Sequence, residues 1–156
     1  MASSTRTDAA SRRGDKTPAQ LFAYLTGAVL VLAGILGFIA DSSFNTGSGI
    51  DGDKLLGILE INGIHNLVHI ASGLFLLAVA PKRATARTGV LAFGAIYAIV
   101  TVIGLIDGDD VLGLLPVNPA DNVLHIALTA AALLAGAVSS SDDDARAADR
   151  TVATPG

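Results

Sequence analysis

Four apolar runs alternate with polar segments along the chain. Residues 21–40 contain no charge in twenty positions, and at about 1.5 Å of rise per residue a helix of that length crosses a hydrocarbon core of roughly 30 Å. Residues 61–80, 89–106 and 120–138 repeat the pattern, the second and fourth interrupted near their starts by Asn and His. An amphipathic helix of a water-soluble domain would carry charges every third or fourth position on its wet face. Here the charges lie between the runs. The pattern predicts four transmembrane helices, at about 20–40, 61–80, 88–106 and 120–138.

The runs come in two similar pairs. "GILEINGIHNLVHIA" from Gly57 aligns with "GLLPVNPADNVLHIA" from Gly113, and the preceding runs end alike, "GFIAD" and "GLID". The shared pattern N-x-x-x-N-x-x-H-I-A recurs after 56 positions. Each copy is a span, an outer loop and a second span, so both copies enter from the same side and the expected relation is a parallel repeat about the membrane normal. The expected fold is all-α, an integral membrane four-helix bundle made of two parallel two-helix repeats. Close helix contacts should use small residues: Gly27, Gly34 and Gly37, then Gly94 and Ala98, then Ala127, Ala131 and Ala135.

Composition agrees with a membrane chain: of 156 residues 51% are hydrophobic and 15% charged. The first run is too long for the apolar region of a cleaved signal peptide, and the third looks like a second copy of it. There is no cysteine, which excludes disulfides, thiolate metal sites and cysteine nucleophiles. Arg6, Arg12, Arg13 and Lys16 precede the first run, Lys82, Arg83 and Arg87 sit between the second and third, and Arg146 and Arg150 follow the fourth. The positive-inside rule then puts both termini and the central link in the cytoplasm, in a multi-pass protein of the cytoplasmic membrane. The outer loops are acidic. "DGDD" from Asp107 lacks the ligand spacing of an EF-hand and reads as solvated surface. Residues 1–17 and 139–156 hold too little apolar surface to pack and read as disordered tails around a domain of residues 18–138.

The Asn and His residues carry the candidate chemistry. Asn118 before Pro119, with Asp121 three residues on, fits a helix N-cap, and Asn62 would cap the second span likewise. Asn66 and His69 continue the face that starts at Asn62, and Asn122 and His125 continue the one that starts at Asn118, so each copy bears a polar stripe. Polar groups at that depth belong inside the bundle. One reading makes the stripes hydrogen-bond networks that fasten the second and fourth spans in register. The other makes His69 and His125 paired ligands to a haem iron or a divalent metal. In that reading His65, one turn before His69, is a third ligand candidate, and Asp121, its counterpart in the second copy, a partner for it. A proton path is hard to draw, because no ionisable residue lies in the inner half of any span.

"KLLGILEINGIHNLVHIASG" and "LLPVNPADNVLHI", set in four spans with acidic outer loops, resemble the bacterial membrane proteins grouped as domain of unknown function 4383. The resemblance runs from about Thr17 to Val138. It implies an Asn–His block opening the second span, matched by His65, Asn66 and His69, and an Asp–Asn–His block opening the fourth, matched by Asp121, Asn122 and His125. Gly63 stands where the family often has proline. The resemblance implies architecture and no activity, substrate or cofactor.

No catalytic signature is present: no G-x-S-x-G, H-E-x-x-H, Walker loop or dinucleotide fingerprint. The expectation is a structural or accessory membrane protein without a cofactor and not an enzyme, with a haem- or metal-binding protein as the alternative. Expected partners are the lipid bilayer and other membrane proteins or further copies of the chain, and no nucleic acid.

Overall fold

The computed structural model describes residues 16–139. The tails assigned from sequence lie outside the described residues except at Lys16, Thr17 and Ser139. Thr17 and Ser139 are buried parts of the bundle, the Ser139 hydroxyl accepting from the Ala19 amide at 2.8 Å.

Helix α1, Pro18–Ala40, starts where a proline at the first helical position follows a threonine cap: Thr17 accepts from the Gln20 amide while the Gln20 side chain accepts from the Thr17 amide. Helix α2, Gly63–Val79, is capped by Asn62; α3 is Arg83–Asp107; α4, Pro119–Ala137, is capped by Asn118 with a reciprocal bond to Asp121. A short antiparallel hairpin, β1 at Asp53–Leu55 and β2 at Leu59–Ile61, joins α1 to α2. A second, β3 at Asp110–Val111 and β4 at Leu115–Pro116, joins α3 to α4. Periodicity did not announce these hairpins, because strands of two or three residues are too short to show alternation.

The helices pair α1 with α2 and α3 with α4. In the first pair Gly27 and Gly73 face each other so closely that a Cβ on Gly73 would lie 2.6 Å from the Gly27 carbonyl oxygen. In the second, Gly94 meets Ala132 and Leu133, and Gly136 meets Leu91. The expected contacts at Ala127 and Ala131 are corrected: both are exposed, because the inward face of α4 is the one carrying Asp121, His125, Ala132 and Gly136.

The interior divides along its length. Away from the hairpins it is apolar, built on Ala19, Ala23, Leu76, Val90, Phe93 and Ala132. Toward the hairpins it is polar, with Asn62, His65, Asn66, Asp121, Asn122 and His125 all buried.

The outer surface is apolar, with Leu25, Val29, Ile96, Ile99, Val123 and Leu134 exposed. Contiguous apolar surface of that kind suits a lipid bilayer rather than water. Three helices, α1, α3 and α4, are long and apolar enough to cross a membrane. At 17 residues α2 is shorter than the expected span, because Ile61 ends β2 and Asn62 is the cap; its length of about 25 Å stands at the lower limit for crossing.

Candidate functional site

The asparagines bond to backbone, each in a matching way in the two halves. Asn62 Nδ2 donates to the Leu114 carbonyl at 3.0 Å, and Asn118 Nδ2 donates to the Ile58 carbonyl at 2.7 Å, so each cap also holds the turn of the other hairpin. One turn deeper, Asn66 Nδ2 donates to the Asp41 carbonyl at 2.7 Å and Asn122 Nδ2 to the Gly104 carbonyl at 3.3 Å. The Asp41 carbonyl stands just past α1, where the helix supplies no donor; the Gly104 carbonyl, in the last turn of α3, also accepts from the Gly108 amide at 3.0 Å. The side chains fit because glycines stand opposite: a Cβ on Gly37 would run into the Asn66 amide, and one on Gly104 would lie 2.8 Å from Asn122 Oδ1.

Asp121 and His65 occupy equivalent places and do complementary work. The Asp121 carboxylate accepts from the Glu60 amide at 2.9 Å and the Asn118 amide at 3.0 Å. Proline replaces Glu60 in the second copy, and with no N–H at Pro116 a carboxylate would find no donor there. A histidine stands in the matching position instead, and its ring faces the Pro116 and Glu60 carbonyls. The expected His65–Asp121 partnership is therefore corrected: the bonds of Asp121 run to Glu60 and Asn118.

The three histidines form a cluster of their own. The ring of His65 packs 4.5 Å from that of His69 and 6.0 Å from that of His125, centroid to centroid. One ring nitrogen from each lies within 4.8 Å of the other two. All three side chains are buried, and the Nδ1 of each has no hydrogen-bond partner. The sequence reading that ran Asn and His together as one network is thus corrected in its detail: the asparagines satisfy carbonyls, and the histidines are left facing each other. The geometry gathers His65 with the expected pair and adds Tyr97 of α3, whose ring stands edge-on to His125 at 5.6 Å. Sequence reasoning passed over Tyr97; its signal was a phenol inside an otherwise apolar run.

The acidic "DGDD" segment is engaged in loop structure. Asp110 accepts from the Gly113 amide at 2.6 Å within its own hairpin and from the Gly49 amide at 2.9 Å in the longer loop.

Residues 20–138 match the family described as domain of unknown function, DUF4383. The chain belongs to this family. No curated protein and no solved structure matches it. The matched segment covers α1 from Gln20 onward, the other three helices and both hairpins, so the histidine cluster and the asparagines around it lie within it.

Proposed function

We propose that this is a metal-binding membrane protein, holding one transition-metal ion on His65, His69 and His125. The observation that carries the reading is the convergence of three buried imidazoles whose Nδ1 atoms have no other partner. A buried polar nitrogen without a partner costs about 1–3 kcal/mol, and three rings that each carry one and lie side by side leave a site shaped for a ligand. Imidazole favours zinc, copper and similar ions over magnesium or calcium. Tetrahedral zinc at 2.0–2.1 Å would set the ligand nitrogens about 3.3 Å apart, so the present spacing of up to 4.8 Å would tighten on binding. Glu60 and Pro116 carbonyls beside His65 would fix its tautomer with Nδ1 free, the usual support for a liganding histidine. Three ligands leave a fourth position open.

Haem does not fit. Its axial ligands stand on opposite faces of a wide plane, whereas these rings pack directly on one another.

The proposed setting is a bundle that crosses the cytoplasmic membrane four times, with both termini inside, built from two parallel copies. The matching bonds that Asn62 and Asn118 make to the opposite hairpins, and the equivalent glycines, Gly37 and Gly104, that face Asn66 and Asn122, support the two-copy reading. Fastening the bundle is then the work of the asparagines and binding that of the histidines, in a binding protein rather than an enzyme. Elemental analysis of detergent-purified protein tests this: about one zinc or copper per chain, lost in His65→Ala, His69→Ala and His125→Ala alike. Folded protein that takes up no metal from zinc- or copper-supplemented medium sinks it.

A further inference from the structure

Beside the histidine cluster a cavity of about 400 Å³ lies between α1 and α4 under the first hairpin. Its volume is within the usual range for small-molecule sites, about 300–1,000 Å³. Leu25 and Leu36 of α1, Leu59 of the hairpin and Leu124 of α4 form its walls, and His69 and His125 line it too. Leu25, Leu36 and Leu124 are exposed, so the groove opens sideways onto the surface that faces lipid. The two histidines are 9% and 4% exposed, and the Nδ1 of each is unpartnered. An apolar channel from the bilayer thus reaches two imidazoles with unused hydrogen-bonding capacity.

The lining selects the occupant. It contains no Lys, Arg, Asp or Glu, so a phosphate or ammonium head would lie in low dielectric without a counter-charge, which burial strongly disfavours. An uncharged carbonyl suffers no such penalty. It can accept from an imidazole N–H, or approach the open position of a bound ion, and the second of these rests on the metal reading. A long apolar tail would follow the leucines back into the bilayer. We propose that the groove binds a prenylated quinone, entering from the membrane with its head carbonyl at His69 and His125.

The test uses the full chain, labelled with ¹⁵N-histidine, in phosphatidylcholine nanodiscs titrated with decylbenzoquinone, with and without added zinc. Ring-nitrogen resonances of His69 and His125 should shift saturably. Ala33→Phe, which fills the groove from α1, and Leu124→Phe, which fills it from α4, should each weaken the response at least tenfold. Either variant suffices if the other fails to fold. Unmoved histidine resonances at saturating quinone, or equal shifts in the filled variants, overturn the proposal. Bound zinc with no quinone response would overturn this proposal alone. A groove-dependent quinone response in protein that binds no metal would support it and remove the metal reading.

Discussion

The ring of His125 on α4 lies 6.0 Å from that of His65 on α2, and both Nδ1 atoms are buried without a hydrogen bond. The two residues come from different halves of the chain and meet only because α2 and α4 both turn their first inward faces to the same point. With His69 beside them they concentrate the imidazole of the whole sequence, three residues, in one place.

Gly37 is set by Asn66. A methyl group at Gly37 would occupy the space of the Asn66 amide, which donates to the Asp41 carbonyl. Gly37→Ala should therefore destabilise by about 1–3 kcal/mol, the usual range for overpacking. Gly37→Ala with Asn66→Ala should recover part of that loss and not all, because the Asp41 carbonyl then lacks its donor. Thermal melts of the two single variants and the pair in detergent give the coupling directly.

Asn62 and Asn118 each do two jobs, capping a helix and holding the other hairpin's turn. Replacement by Ala should cost about 1–2 kcal/mol at either position. Asn118→Ser keeps a cap oxygen and lacks the Nδ2–H that reaches Ile58, so it should cost less than Asn118→Ala. Equal losses in the two Asn118 variants would show that the cross-hairpin bond carries the whole effect.

Leu56 and Leu112 hold left-handed backbone at the two hairpin turns, φ 55° and 57°. For a leucine this conformation costs about 1–2 kcal/mol, and both side chains are exposed. Leu112→Gly relieves the strain at some cost in unfolded-chain entropy, and a gain of up to about 1 kcal/mol should appear as a higher melting temperature. A lower one would mean that the Leu112 side chain makes a stabilising contact.

Asp41, just past the end of α1, gives the loop between α1 and α2 a pH dependence. Burial alone would raise its pKa, but bonds from the Ser43 hydroxyl, the Ser43 amide and the Asp53 amide hold it below the ordinary value of 3.8. A depressed folded pKa contributes stability that is present above the unfolded value and lost as pH falls through the folded one. Hydrogen-exchange protection of the Ser43 and Asp53 amides should therefore fade below the ordinary aspartate range. Asp41→Asn should remove that acid step and lower protection at neutral pH.

Helices were legible because lipid demands long runs without charge, and 21–40 and 89–106 satisfy that with little else inside them. The caps at Asn62 and Asn118 were legible because their signals are local. What each asparagine bonds to was not: Leu114 and Ile58 are distant in sequence, and their turns exist only once the hairpins form. For the same reason the pairing of His65 with Asp121 was expected from their equivalent positions. Pro116 breaks that equivalence by removing one amide hydrogen. The inward face of α4 was misplaced at Ala127 and Ala131 because small residues mark several faces of its apolar half equally well; the face of His125, continued seven residues on, reaches Ala132 instead.

X-ray absorption at the metal edge, on protein loaded with one equivalent of zinc in nanodiscs, reads out which side chains hold the ion. Three imidazole nitrogens at about 2.0–2.1 Å are expected, falling to two in His125→Ala. An oxygen-only shell, or a spectrum unchanged by removing His125, would place the metal elsewhere and contradict a histidine-bound ion at the centre of the bundle.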